Sequence, residues 1–333
     1  MSEIRYDPLH DAYVVIAPNR LTRPNLFPEH SAVLKDETIC PFCAGHETMT
    51  PPEIFVLKDA KGRWKTRVVP NLYKAVAIEA TDERKEEGIY EKIDGFGAHE
   101  IIIDTPEHIT NFDALSVGQM TDWFQTIKQR INDLKKDSRL LYFTTFKNQG
   151  GNAGSTLPHI HTQLIALPVV PRKELQVLTH LHAYYRQHGR SVFKDIVDYE
   201  REQKVRVVDE SENFLAYTPY GSQFAFEVII MPKIELSDIG SCHDDLLEET
   251  ASLLKKVLSG LRRELKEIDY NVYIQNPPFQ KVYETEAFFD DMKDFYRFYI
   301  RVIPRLYQTG GFELQSSMTI NPLAPEKAAG LLR

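Results

Sequence analysis

Residues 157–168 read Leu-Pro-His-Ile-His-Thr-Gln-Leu-Ile-Ala-Leu-Pro. Two imidazoles and an amide alternate with other side chains, and an apolar run then ends at proline. A period of two marks a β-strand, because successive side chains leave opposite faces of the chain. His159, His161 and Gln163 are therefore predicted to share one face of a rigid element. Just upstream lies Asn-Gln-Gly-Gly-Asn-Ala-Gly-Ser-Thr, residues 148–156, a glycine-rich polar loop able to wrap an anion. Backbone donors followed by a row of imidazoles point to chemistry on phosphate. A lone histidine in such a place most simply hydrogen-bonds within a polar sheet face; two behind this loop favour function. His180 and His182 repeat the spacing inside a helical segment, where residues i and i+2 diverge, and read as surface or packing.

The rest of the chain has an α+β pattern. Strand-like runs cover 12–17, 54–57, 100–103, 140–146 and 163–167. A helix is predicted over 116–136, with Met120, Phe124, Ile127, Ile131 and Leu134 at 3–4 spacing. The second half repeats the order: a strand over 224–231, a helix over 244–268, then strands over 270–275 and 298–303. Pro168 and Pro304 close the two series, so a weak duplication is expected. The junction is predicted at 168–172, followed by an inserted helix over 173–187. A short C-terminal helix follows Pro325. The 333 residues suffice for two ordinary domains.

Charge and cysteine usage limit the possible functions. A net charge of -8 argues against a nucleic-acid-coating protein. No apolar run approaches the roughly 20 residues of a membrane helix. The N-terminus carries charges where a signal peptide would be apolar, so a cytoplasmic protein is expected. The three cysteines, Cys40, Cys43 and Cys242, fit a metal or redox site better than a disulfide framework. Cys40-Pro-Phe-Cys43 can hold half of a zinc site, with histidines completing it. A redox dithiol and unliganded structural thiols are the alternatives; the residues after Cys43 are poor helix material, against the redox reading.

A neutral imidazole can attack phosphorus without a separate base and forms a transferable phosphoramidate. An amide such as Gln163 can stabilise charge on the non-bridging oxygens. Arg20 and Arg23 offer two planar forks suited to phosphate, or two solvated surface arginines.

These residues carry a resemblance to a known family. Together with Arg5-Tyr-Asp-Pro-Leu9, Val69-Pro-Asn71, Thr105-Pro-Glu-His108 and Gly311-Phe-Glu-Leu314, the CxxC and His-x-His-x-Gln motifs make the chain resemble galactose-1-phosphate uridylyltransferases, the nucleotidyltransferase branch of the histidine-triad superfamily. The likeness spans nearly the whole chain. It implies two histidine-triad-like halves, 1–170 and 171–333, each an antiparallel sheet with packed helices. It implies that His161 is the nucleophile carrying the nucleotidyl group and that Gln163 steadies its phosphoryl oxygens. Cys40, Cys43, His108 and His159 would hold one structural Zn²⁺. Arg20, Arg23, Asn71, Asn148, Ser155 and Thr156 fall where relatives hold the nucleotide, and Phe312 and Glu313 where they contact the sugar phosphate. A nucleotide sugar and a sugar 1-phosphate are the implied partners, and a homodimer the implied assembly.

The chain also departs from the family. Glu174 matches the glutamate of a second family metal site, but Gln275, Arg297 and Tyr299 stand at its histidine positions, so a second metal is expected to be absent. Ile160 and Thr162 replace proline and a glycine or serine. The leading expectation is UMP transfer from UDP-glucose to a hexose 1-phosphate such as galactose 1-phosphate through uridylyl-His161. The alternatives are an ADP-glucose or dinucleotide phosphorylase with the same covalent chemistry, and a non-catalytic zinc-stabilised nucleotide-binding protein.

Overall fold

The computed structural model describes residues 1–22, 39–279 and 287–333; Arg23 lies outside them. The first half contributes β1 (Glu3–Asp7), β2 (Ala12–Ile16), β3 (Phe55–Lys58), β4 (Trp64–Pro70), β5 (Arg84–Glu87), β6 (Tyr90–Ile93), β7 (Ala98–Ile103), helix α1 (Val117–Leu134), β8 (Tyr142–Gln149) and β9 (His161–Leu167). Helices α2 (Arg172–His188) and α3 (Val192–Gln203) follow. The second half supplies β10 (Val207–Glu210), β11 (Phe214–Tyr217), β12 (Val228–Pro232), α4 (Asp244–Leu265), β13 (Tyr270–Gln275), α5 (Met292–Phe295) and β14 (Tyr299–Pro304). The chain closes with α6 (Gly311–Ser316), β15 (Thr319–Asn321) and α7 (Pro325–Leu332).

Ten strands make one antiparallel sheet in the order β10-β11-β12-β14-β13-β8-β9-β7-β4-β3. The duplication is explicit in this order. Strands β3, β4, β7, β9, β8 in the first half lie in the same sequence from edge to centre as β10, β11, β12, β14, β13 in the second. The halves join at β8 and β13, where Phe146 faces Tyr273. In each half the long helix falls between the third and fourth of these strands in chain order. Strands β1, β2 and β15 form a separate small sheet, and β5 and β6 a hairpin.

Both long helices cover one face of the large sheet. Helix α1 starts at Ser116, whose hydroxyl accepts from the Gln119 amide while the Gln119 side chain accepts from the Ser116 backbone, a reciprocal cap that satisfies two orphan donors. Its apolar stripe, Met120, Phe124, Ile127 and Ile131, is buried with Leu247, Ala251, Leu254 and Leu258 of α4 in one continuous core. The opposite face differs between halves. In the second half α2 and α3 cover it, packing Leu178, Leu181, Phe193 and Val197 on Leu215, Ile229 and Tyr299. In the first half it carries Val69, Ile101 and Ile103 with Cys40 and Phe42, and there the candidate site lies. No helix among the described residues is long and apolar enough to cross a membrane.

Helix α3 and strands β4, β10 and β11 were not expected from the sequence pattern. Strand β4 begins Trp-Lys-Thr-Arg, and its polar residues are stabilised by partners elsewhere: Thr66 bonds Thr126 of α1 and Arg67 bonds Glu53.

Candidate active site

Strand β9 lies between β7 and β8, with His161 opposite Ile103 and Gln163 opposite Ile101. The alternation does what the sequence implied. Leu164 and Ala166 enter the core under α1 and α4, while His161 turns to the other face. There its ring meets Phe42, centroids 5.4 Å apart. Only 8 % of His161 is exposed. Its Nδ1 is 2.9 Å from the His159 carbonyl oxygen. A carbonyl only accepts, so Nδ1 bears the hydrogen and Nε2 keeps a lone pair. Burial, helped by the nearby Lys147 charge, holds the imidazole below its ordinary pKa against the opposing effect of the His159 carbonyl. The ring is neutral, with a lone pair on Nε2.

Beside it, Gln163 Oε1 is 3.0 Å from His99 Nε2 on β7. Asn71 follows β4 directly; its backbone N–H donates to the His99 carbonyl, and its Nδ2 lies 3.0 Å from His99 Nε2. Three strands thus bring Asn71, His99, Gln163 and His161 to one face.

The other face of β9 is held by a buried polar network. Lys147 pairs with Asp104, both essentially inaccessible, and also donates to the His161 carbonyl at 2.9 Å. Thr162 donates to Asp104 at 3.0 Å and accepts from the Trp123 indole at 2.8 Å. Thr162 is one of the two departures from the family motif, and Asp104 is the group that requires its hydroxyl.

Cys40, Cys43, His108 and His159 converge, their ligand atoms all within 4.8 Å of one another. Sγ to Nδ1 distances are 3.5 Å for Cys40–His159, 3.3 Å for Cys43–His108 and 3.6 Å for Cys43–His159. Tetrahedral zinc with Zn–S of about 2.3 Å and Zn–N of about 2.0 Å would leave S···N edges of roughly 3.5 Å. His159 Nε2 donates to the Thr105 carbonyl at 3.1 Å, which aims the Nδ1 lone pair at the thiolates. Burial pushes this imidazole down to about 4, so it is neutral and able to ligate. The four residues can hold a metal ion.

The glycine-rich loop differs from expectation. Gly150 and Gly154 adopt φ of +84° and +91°, which glycine alone adopts without strain. The loop's backbone donors, however, bond within the protein: Asn152 N–H to Asp269 at 2.7 Å, and the N–H groups of Ala153, Gly154 and Ser155 to Gly150 or Gly151 carbonyls. The tight turn satisfies its own amides, so at these four residues it is not an open anion cradle. Asn271 fixes it further, donating to Asn148 Oδ1 and the Ala153 carbonyl, both at 2.9 Å. Asn148 and Ser155 line a cleft of about 400 Å³ with Lys147, Gln149 and Arg262. Thr156 is exposed.

Other expected residues sit on other elements of the chain. Arg20 is exposed on the short 3-10 turn Pro18–Thr22. Phe312 is 46 % exposed on α6, which packs on β15; Glu313 accepts from the Gly310 amide at 3.0 Å, capping that helix. In the second half, Gln275 donates to Glu174 at 2.6 Å. Tyr299 bonds His10 at 3.0 Å, and Arg297 donates to the Tyr296 carbonyl at 2.9 Å. His180 and His182 bond the Pro8 carbonyl and Asp291, packing roles as expected. The sequence reading missed His99, Asp104, Lys147, Asp269 and Asn271. Only strand register could have found His99, since it shares a face with Ile101 and Ile103 on the strand next to Gln163.

Known proteins share this sequence pattern and fold. The profile of the galactose-1-phosphate uridyl transferase N-terminal domain matches residues 1–171, and that of the C-terminal domain matches residues 177–289. ADP-glucose phosphorylase of Arabidopsis thaliana is 32% identical over 99% of this chain and 92% of its own length. The galactose-1-phosphate uridylyltransferase of Thermotoga maritima is 27% identical over 100% of this chain and 98% of its own. The crystal structure of the Arabidopsis enzyme with bound ADP-glucose superposes with a TM-score of 0.84 at 29% identity, covering 100% of this chain and 99% of that one. With both domain profiles matched in order and the cysteine–histidine cluster and His-x-His-x-Gln strand assembled on one sheet face, this chain belongs to the galactose-1-phosphate uridylyltransferase family.

Proposed function

We propose that this chain transfers a nucleoside monophosphate by a ping-pong reaction through a covalent nucleotidyl-His161. The observation that carries the reading is the bond from His161 Nδ1 to the His159 carbonyl, which leaves the Nε2 lone pair for the α-phosphorus of a nucleotide sugar. Nε2 forms the P–N bond as the bond from the α-phosphorus to the sugar-phosphate oxygen breaks, and the sugar 1-phosphate leaves. The Nδ1 hydrogen, held by the carbonyl, stabilises the positive ring. Gln163 offers its amino group to a non-bridging oxygen. A phosphate oxygen of the second substrate then attacks the same phosphorus and returns His161 to its starting form. Histidine-triad-type hydrolysis is disfavoured because Gln163 replaces a third histidine, leaving no second imidazole at that position to activate water.

The metal of the cysteine–histidine cluster is zinc in this reading, held by Cys40, Cys43, His108 and His159. Four protein ligands close the coordination sphere, so the ion supplies a cross-link rather than a Lewis acid. It ties the Cys40 segment to the residue that begins the nucleophile motif.

Two donor–acceptor pairs suit this chemistry. The family name suggests UDP-glucose with a hexose 1-phosphate. The greater likeness to ADP-glucose phosphorylase, 32% against 27% identity, favours ADP-glucose with inorganic phosphate, and we take that as the preferred pair. Asn71, Asn148, Ser155 and Thr156, with Arg20 and Arg23, are assigned to the nucleotide. Phe312 and Glu313 are assigned to the sugar phosphate of a neighbouring copy in a homodimer, since Phe312 is exposed on α6. The units 1–170 and 171–333 are then a catalytic half and a supporting half. Intact-protein mass spectrometry after incubation with UDP-glucose or ADP-glucose tests this: an added adenylyl mass supports the preferred pair, an added uridylyl mass supports the other, and no adduct with either overturns the covalent mechanism.

A further inference from the structure

His99 is buried, 9 % exposed, and its two ring nitrogens have different partners. The backbone N–H of Ala75 donates to Nδ1 at 3.0 Å. A backbone amide can only donate, so Nδ1 is the acceptor and Nε2 bears the hydrogen. That hydrogen then determines which end of the Gln163 amide faces it: the oxygen, at 3.0 Å. The amino group of Gln163 is left on the side away from His99. Asn71 Nδ2, close to the same N–H, is not an acceptor either; its own oxygen accepts from the Tyr73 amide at 2.8 Å. One backbone amide thus sets a tautomer, and the tautomer sets the amide.

The repeat gives a second, independent observation. In the second half Glu227, just before β12, accepts from Arg301 on β14 at 2.6 Å. Arg301 faces Ile229 and Tyr273 as Gln163 faces Ile101 and Phe146. A polar bridge between the same two strands is therefore present in both halves. Where α2 and α3 cover the face it is an ion pair. Where the face carries the nucleophile it is a neutral pair with one end of the amide turned outward.

We infer that His99 is a positioning residue that locks the Gln163 side chain with its amino group toward the phosphate on His161. The inference rests on the nucleotidyl-transfer reading. A freely turning amide would present its oxygen to the phosphate about as readily as its amino group, and an oxygen would repel the non-bridging oxygens instead of stabilising them.

The test is a double-mutant cycle read by single-turnover adduct formation on His161, with the substrate dependence measured separately. His99→Phe keeps a ring and removes both nitrogens. Its adduct rate is expected to fall roughly 10- to 100-fold, with little change in half-saturating substrate concentration. His99→Gln, which keeps a terminal N–H donor, should recover part of the loss. In a Gln163→Ala background, His99→Phe should cost nothing more, because its only route to the phosphate is gone. An equal loss in both backgrounds would mean that His99 acts through the segment Asn71 to Ala75, and would overturn the inference. So would an unchanged rate in His99→Phe alone. A Gln163→Ala protein that forms adduct at the parental rate would instead overturn the role of Gln163 in the underlying reading.

Discussion

The ammonium of Lys147 donates to the carbonyl oxygen of His161 at 2.9 Å while paired with Asp104. The strand that presents the imidazole is therefore held from behind by an ion pair sealed in the core. Burial works against the charged lysine and the Asp104 carboxylate works for it. Removing one partner leaves the other charged in an apolar setting. Lys147→Met is expected to destabilise the fold by about 3–5 kcal/mol, and Lys147→Met with Asp104→Leu to recover a large part of that. Urea unfolding followed by circular dichroism measures both. A single variant as stable as the parent would show that the pair holds nothing in place.

Replacing the proposed nucleophile separates chemistry from folding. His161→Gly should abolish the covalent adduct and lower turnover by at least about 10³-fold, with the far-ultraviolet circular dichroism of the parent retained. Adduct on the variant would place the transferred group on another side chain.

Metal removal should act on stability first. The proposed ligands, residues 40, 43, 108 and 159, come from three separate segments, so loss of a bound ion would release long-range constraints. Purified protein is expected to hold one zinc per chain by elemental analysis, and Cys40→Ser or prolonged chelation to lower the melting temperature in parallel with the zinc content. Chelated, zinc-free protein with an unchanged melting temperature would refute the structural role.

The acid limb of stability should carry the mark of Asp7. Burial alone would raise this carboxyl, but the charge and hydrogen bond of His10 and the Leu9 amide outweigh it, and the net shift is downward from 3.8. A lowered folded-state value means stability that is complete above the unfolded value and is lost as pH falls through the folded one. The stability gap between the parent and Asp7→Asn should thus be widest above about pH 5 and should close as pH drops below 3.8. A gap of constant size down to pH 2 would assign the difference to packing.

Gly150 cannot take a side chain. Its φ is +84°, and a Cβ there would lie 1.8 Å from Asp269 Oδ1. Gly150→Ala should cost about 1–3 kcal/mol and free the loop from β13, seen as faster amide exchange at Asn152 to Ser155.

Features set by near neighbours were readable from the chain alone. The alternation at 159–167 gave a strand with His161 and Gln163 on one face, because side-chain direction in a strand depends only on parity. The apolar spacing of α1 and α4, the repeat of the two halves and the CxxC pair are likewise local patterns. What tertiary structure decided lies between distant segments. Gln163 meets His99 across 64 positions, Lys147 meets Asp104 across 43, and Asn152 meets Asp269 across 117. Strand register brings those groups together, and register depends on how whole faces bury. That is also why the glycine loop, which locally looked open to an anion, uses the backbone amides of Asn152 to Ser155 internally. It is why the same face is a packed core in one half and a candidate active site in the other.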